Sequence, residues 1–342
     1  MTPAIFGLSG LTLTADERAF FRDSDPAGYI LFGRNIESRE QVRALTDELR
    51  AIQGRDKLLI TIDQEGGRVA RMKPPVWPAY PAGEAFDRLF DLAPASAIEA
   101  ARANAEALGN DLHEVGITCT HAPVLDVRQH GAHDVIGDRA YGFEPLRVAA
   151  IGRAVLDGLA RAGVVGTIKH MPGHGRSLVD THKELPTVTA SAAELESDIA
   201  PFKALADAPI AMTGHLVFTA WDADHPATQS PYVIEQIIRS TIGFDGLLLT
   251  DDLDMEALSG TVPERAEVAI RAGCDIALNC WGKMADMTGI CERLGTMSDA
   301  TAARHARALA AICAPQPTAD QAELVAKRDA LLALVHSAEA QA

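Results

Sequence analysis

Charged and imidazole side chains gather at the ends of apolar runs in this chain, where a buried strand has little use for them. Leu58 to Ile62 runs into Asp63-Gln64-Glu65-Gly66-Gly67-Arg68, and Val164 to Ile168 into Lys169-His170-Met171-Pro172-Gly173-His174-Gly175. A strand-end carboxylate such as Asp63 can accept hydrogen bonds from two neighbouring hydroxyls, as a sugar site requires; pairing with Arg68 or Arg71 to hold a loop is the alternative. Gly66 and Gly67 let the backbone approach a ligand closely. Arg139, with glycines on both sides in Gly137-Asp138-Arg139-Ala140-Tyr141-Gly142, either binds a substrate oxygen or braces the loop through Asp138. A buried Lys169 needs an anionic partner or a ligand, so an ion pair with a neighbouring strand's aspartate and a Schiff-base role are both open.

Two further groups could move protons or attack carbon. Asp180 and His182 lie two apart, beyond Gly173 and Gly175, and can meet in an extended or turn conformation. A carboxylate on one imidazole nitrogen fixes the tautomer, so that the other nitrogen exchanges a proton near neutral pH. Such a pair suits general acid/base catalysis; two solvated loop residues are the alternative. Asp251 closes the apolar run Gly246-Leu247-Leu248-Leu249-Thr250, where a carboxylate can be a nucleophile toward an anomeric carbon, a ligand or a base, or pair with Lys169. Strand alternation puts Asp251 and Asp252 on opposite faces.

The elements that position these groups form a regular series. Eight apolar runs bounded by turn residues begin at Ala4, Gly28, Leu58, Ile117, Val164, Ala208, Gly246 and Asp275, about 39 residues apart on average against the ~30 of a minimal βα repeat. Amphipathic segments separate most of them: Arg39 to Gln53, Ala95 to Val115, Leu146 to Ala162, Ala192 to Ala206 and Glu264 to Ala272. Ser38, and Ser191 with Glu194 three residues on, read as helix starts. Eight such units favour a closed (β/α)₈ TIM barrel over an open doubly wound sheet, and a barrel carries its chemistry at the C-terminal strand ends. The expectation is one α/β barrel domain over 1–342 with a helical extension from about 300, broken at Pro315 to Asp320.

Composition narrows the class of partner. The chain has 342 residues, with 31 Lys plus Arg against 47 Asp plus Glu and a formal charge of −16. That disfavours nucleic acid or an anionic membrane as a partner. Apolar residues make up 47%, enough for a large core. Five cysteines, none in a CxxC pair, suit a reducing compartment. The first residues lack the basic start of a secretory signal, and no stretch reaches the ~18 apolar residues of a membrane span, so a soluble cytoplasmic protein is expected. A monomer acting on a small-molecule saccharide is the accompanying expectation.

The motifs together resemble glycoside hydrolase family 3, and within it the single-domain bacterial β-N-acetylglucosaminidases of peptidoglycan recycling. The likeness runs in order through Leu31-Phe32-Gly33-Arg34-Asn35, Asp63-Gln64-Glu65-Gly66-Gly67-Arg68-Val69, Ala122-Pro123-Val124-Leu125-Asp126-Val127, Asp138-Arg139-Ala140-Tyr141-Gly142, Lys169 to Gly175, Asp180-Thr181-His182 and Thr250-Asp251-Asp252-Leu253-Asp254-Met255. It implies Asp251 as nucleophile, Asp180 with His182 as acid/base dyad, and Asp63, Arg68, Arg139, Lys169 and His170 as residues binding a terminal N-acetylglucosamine. It implies no cofactor and no metal. Met171 stands where Phe is usual, Ala140-Tyr141 where Ser-Phe is common, and His121 where Asn is expected before Ala-Pro-Val; none of these removes a catalytic group. The reaction implied is retaining hydrolysis through a glycosyl-aspartate, releasing N-acetylglucosamine from its 1,6-anhydro-N-acetylmuramic acid conjugate with or without peptide.

Substrate-assisted hydrolysis by the 2-acetamido group, phosphorolysis and β-glucosidase activity remain alternatives within that chemistry. Outside it stand a metal-dependent barrel hydrolase using strand-end His and Asp, a Schiff-base aldolase using Lys169, and a non-catalytic carbohydrate-binding protein.

Overall fold

The computed structural model describes residues 1–179 and 184–339. Eight parallel strands close into a barrel: β1 (Thr2–Gly7), β2 (Pro26–Leu31), β3 (Leu59–Ile62), β4 (Cys119–Thr120), β5 (Val165–Met171), β6 (Ile210–Thr213), β7 (Leu247–Asp252) and β8 (Ile276–Asn279). Each pairs with its neighbours in chain order and β8 returns to β1, as in Ile5 opposite Leu278. In that ring β3 and β7 face each other across the mouth. All eight apolar runs contribute a strand.

Side-chain alternation divides the core in two, because successive residues of a barrel strand point inward and outward. Ile5, Leu59, Leu247, Leu249 and Ile276 belong to one buried cluster that fills the barrel, whereas Ala4, Phe6, Ile60, Leu248 and Ala277 join the larger layer under the helices. Ala308 and Ile312 complete the inner cluster. They come from the helix Asp299–Ala310 and its end, whose His305 ring nitrogen Nε2 lies 3.0 Å from the Ala27 carbonyl at the start of β2. That helix therefore closes the barrel at the end opposite the mouth. The last helix, Gln321–Glu339, packs on Gly83–Leu92 and Pro94–Glu114, with Arg328 donating to Asn104.

Local signals set the helix starts. The Ser38 hydroxyl accepts the Gln41 N–H at the head of Arg39–Gln53, and Ser191 with Glu194 forms a capping box at the head of Ala192–Ala204. Two runs are shorter as strands than their apolar lengths imply. Of Ile117 to Val127 only Cys119–Thr120 is regular strand; Pro123 has no N–H for a ladder, and Leu125 rejoins by donating to the Lys169 carbonyl. The run from Ala208 breaks after Thr213, where the buried His215 bonds Thr228, and resumes as Val217–Phe218 in a separate sheet with Thr187–Val188 and Asp222–Pro226.

Candidate active site

The C-terminal strand ends enclose a cavity of about 440 Å³, within the range usual for small-ligand sites. Asp63, Glu65, Arg68, Arg71, Arg139, Lys169, His170, His174, Asp251 and Asp252 all line it. On the β3 side sits a network of opposite charges. Glu65 accepts two hydrogen bonds from Arg139, Nε–Oε2 at 2.8 Å and Nη2–Oε1 at 2.7 Å, and Lys169 Nζ lies 2.6 Å from the same Oε1. Lys169 is also 3.6 Å from Asp63, which accepts from Arg71 at 2.9 Å and meets His121 Nδ1 at 3.2 Å.

The charges hold one another ionised. Burial pushes the Asp63 carboxyl up, but Lys169, His121 and Arg71 outweigh it and keep it well below the usual range. Burial likewise opposes ionisation of Glu65, and Arg139 with Lys169 reverses it, to about 2. Asp63 thus pairs with Arg71 and not with Arg68, and Arg139 reaches Glu65 and not Asp138. Arg68 takes Asp138 instead, at 2.8 Å, and donates to the carbonyls of Asp134, Val135 and Ile136, so most of its hydrogen bonds hold the loop at the rim.

Gly66 and Gly67 serve the chain's own packing. Their φ angles are +111° and +55°, and a Cβ on Gly66 would lie 2.2 Å from the Pro81 carbonyl oxygen.

His170 is aimed by Asp126, a fully buried carboxylate at the end of the Pro123 segment. Asp126 Oδ2 lies 2.7 Å from His170 Nδ1, while Oδ1 accepts the backbone N–H groups of His170 and His174. Burial disfavours the Asp126 anion, yet His170 and these donors bring it to about 2. As a carboxylate only accepts, His170 Nδ1 is the donor in this contact. Burial and His170 push His174 down to about 4, so that ring is neutral at pH 7.

Across the mouth, Asp251 and Asp252 line the cavity together, against the alternation expected of a regular strand. The pairing with β8 explains it: Leu249 faces Ile276 but Asp252 faces Leu278, so β7 carries one extra residue, a bulge that re-aims its end. Asp251 Oδ1 accepts the Asp252 N–H at 2.8 Å. Burial raises its pKa, but His170, His215, that N–H and Lys169 lower it further, leaving an ionised carboxylate with no ion-pair partner among the described residues. Asp252 goes the other way, raised by burial and by Asp254.

Asp180 and His182 fall outside the described residues. The segment leading to them is anchored: Ser177 accepts the His133 N–H at 2.8 Å, and a Cβ on Gly175 would lie 1.8 Å from the Val127 carbonyl oxygen.

Sequence alone does not single out Glu65, Arg71, Asp126, His174, His215 and Asp252 as site residues. Most stand in the same strand-end stretches, and it is their partners, brought from other strands, that reveal them.

Residues 8–312 match the Glycosyl hydrolase family 3 N-terminal domain. A beta-hexosaminidase of Bordetella avium (strain 197N) is 37% identical over 283 residues, covering 81% of this chain and 80% of the relative. One from Alkalilimnicola ehrlichii is 38% identical with the same coverage. Among solved structures, native NagZ from Neisseria gonorrhoeae superposes with a TM-score of 0.83 at 31% identity, covering 98% of this chain and 96% of that one, and the same protein has been seen in complex with N-trifluoroacetyl-D-glucosamine. A barrel of eight parallel strands, a charged cavity at its mouth and a match over most of its length place the chain in glycosyl hydrolase family 3, as a glycoside hydrolase of the β-hexosaminidase kind.

Proposed function

We propose that the protein is a retaining exo-β-N-acetylglucosaminidase that removes terminal, non-reducing N-acetylglucosamine from peptidoglycan fragments, the 1,6-anhydro-N-acetylmuramic acid conjugate with or without its peptide. It acts as a cytoplasmic, single-domain monomer without metal or cofactor. The observation that carries this reading is the position of Asp251: a half-buried, ionised carboxylate with no counter-charge in hydrogen-bond contact among the described residues, facing the Asp63, Glu65, Arg139 and Lys169 network across one cavity.

In the first step an Asp251 oxygen forms a bond to the anomeric carbon as the glycosidic bond breaks, and His182, oriented by Asp180, gives its proton to the leaving oxygen. In the second, water attacks the same carbon, His182 takes its proton, and the ester to Asp251 opens. The carboxylate charge also stabilises the oxocarbenium-like transition state. Asp63, Arg71, Arg139, Lys169 and His170 bind the sugar's hydroxyls, with Arg68 shaping the rim.

Substrate assistance by the 2-acetamido group is the second reading, favoured by the presence of Asp251 and Asp252 in one cavity with pKa values pushed apart. Incubation with a fluorinated N-acetylglucosaminide followed by peptide mass mapping separates the two. Label on the peptide containing Asp251 is expected; turnover without label means the acetamido route.

A further inference from the structure

We propose that Trp281 and Lys283, at the rim beyond β8, form the platform for the aglycone: the indole stacks on its sugar ring and the ammonium meets the carboxylate of its lactyl group or peptide. The inference rests on the reading of Asp251 as the residue at the anomeric carbon and deepens it. β3 and β7 face each other across the mouth, so a sugar held at its far end by Asp63 presents its anomeric carbon to Asp251 on the β7 side. The leaving group then passes out over the rim that β7 shares with its neighbours, of which β8 is one.

Trp281 is unlike the other two tryptophans of the chain. Trp77 is buried and Trp221 packs on Phe218 with ring centres 5.2 Å apart, whereas Trp281 is 59% exposed. An apolar surface of that size left in water marks a place that a ligand covers. The backbone beneath the ring is held on both sides. Cys280, which lines the cavity, donates its N–H to Asp254 Oδ2 at 3.2 Å, and its carbonyl accepts from Arg34. Gly282 has a φ of +66°, and a Cβ there would lie 2.9 Å from the Leu8 carbonyl carbon. A ligand that stacks on the indole therefore orders little that is not ordered already.

Lys283 supplies the charge. Its Nζ lies over the Trp281 ring, 5.7 Å from the centre, which leaves the opposite face for a ligand. Lys283 makes no ion pair with the described residues, and it stands on the β7 side of the rim, where its charge is among the influences opposing the rise that burial gives the Asp254 carboxyl. An N-acetylmuramic aglycone brings what such a pair takes, a ring with apolar C–H faces and a carboxylate.

The test compares kcat/KM for three substrates: N-acetylglucosaminyl-1,6-anhydro-N-acetylmuramic acid, the neutral disaccharide N,N′-diacetylchitobiose, and N-acetylglucosaminyl fluoride, whose leaving group has no surface to stack. Trp281→Ala is expected to lower both disaccharides about 10-fold relative to the fluoride, and Trp281→Phe, which keeps a ring, to recover most of that loss. Lys283→Gln is expected to lower the anhydromuramic disaccharide about 2- to 5-fold relative to diacetylchitobiose, a preference that also shrinks as salt is added to the parent. A Trp281→Ala variant with unchanged ratios, or a Lys283→Gln variant that still prefers the anionic aglycone as the parent does, overturns the proposal. So does a parent dimer in sedimentation that Trp281→Ala converts to monomer with the ratios intact, since the indole then covers a second copy of the chain. Failure of the Asp251 reading shows instead in the trapping experiment on the unaltered chain, which does not depend on the aglycone.

Discussion

Glu65 and Arg139, 74 residues apart in sequence, meet in a two-pronged ion pair whose side chains are only 7% and 11% exposed, and Lys169 closes on the same carboxylate at 2.6 Å. Glu65 therefore serves two cations at the barrel mouth, Arg139 through both oxygens and Lys169, which also keeps Asp63 at 3.6 Å. Neither cation can give up its partner cheaply, because a buried charge left alone costs more than the pair contributes.

Removing Glu65 should consequently harm the fold as well as the site. Glu65→Ala is expected to cost about 3–5 kcal/mol, seen as a lower urea midpoint with an unchanged slope. Glu65→Gln should cost less, since its amide oxygen still accepts from Arg139. A Glu65→Ala midpoint equal to that of the parent would show that the network is decorative.

Stability should fall on acidification in two stages. Burial depresses His174, His215 and His305 below the ordinary histidine value, His174 to about 4. Between about pH 6.5 and 4 the unfolded chain therefore binds protons that the native rings refuse, and stability drops as pH falls. Glu65 and Asp126 sit near 2 in the fold, so a second loss runs from the unfolded carboxylate value near 4 down through 2. Thermal midpoints recorded at intervals from pH 7 to 2 check this, and Glu65→Gln should flatten the lower stage only. A midpoint that rises on going from pH 6.5 to 4 contradicts the histidine assignment.

Much of this architecture can be read from sequence, for a stated reason. Buried parallel strands are short apolar runs, and a run must end in something polar, so the eight strands and the end of the barrel that carries Asp63, Lys169 and Asp251 are both local signals. What is not local is less legible. Asp251 and Asp252 share a cavity only because β7 bulges against β8, a feature of the pairing of two strands that single-strand alternation does not contain. The choice of Arg71 over Arg68 as partner of Asp63, and of Glu65 over Asp138 as partner of Arg139, depends on where three loops meet.

Arg71 and Arg68 should therefore behave differently despite standing three residues apart. Arg71 donates to Asp63 and lies 5.0 Å from the centre of the Phe32 ring on the cavity wall. Arg71→Ala is expected to lower kcat/KM about 10- to 100-fold for every leaving group, because it disturbs Asp63, the carboxylate proposed to bind the sugar itself. Arg68→Ala frees the carbonyls of Asp134 to Ile136 and should speed limited proteolysis between residues 130 and 137, with a smaller loss of kcat/KM on activated aryl substrates. Equal losses in the two variants, with no new cleavage site, would falsify this division of roles.

The acid role assigned to His182 is tested by the leaving group. An aglycone of low pKa departs with little help, whereas a sugar alkoxide needs a proton in the transition state, so deletion of the acid is felt in proportion to leaving-group basicity. His182→Ala is expected to slow a disaccharide or methyl glycoside about 10²- to 10⁴-fold while activated aryl glycosides lose far less, and Asp180→Asn should follow the same order with smaller factors. Because water attack on the glycosyl-aspartate also needs the base, the variant should accumulate labelled Asp251 with activated substrates, and azide, which needs no base, should restore its turnover. A uniform loss across leaving groups, without rescue by azide, assigns the proton to another group; His170 and His174, two of the four imidazoles lining the cavity among the described residues, are then the next to vary.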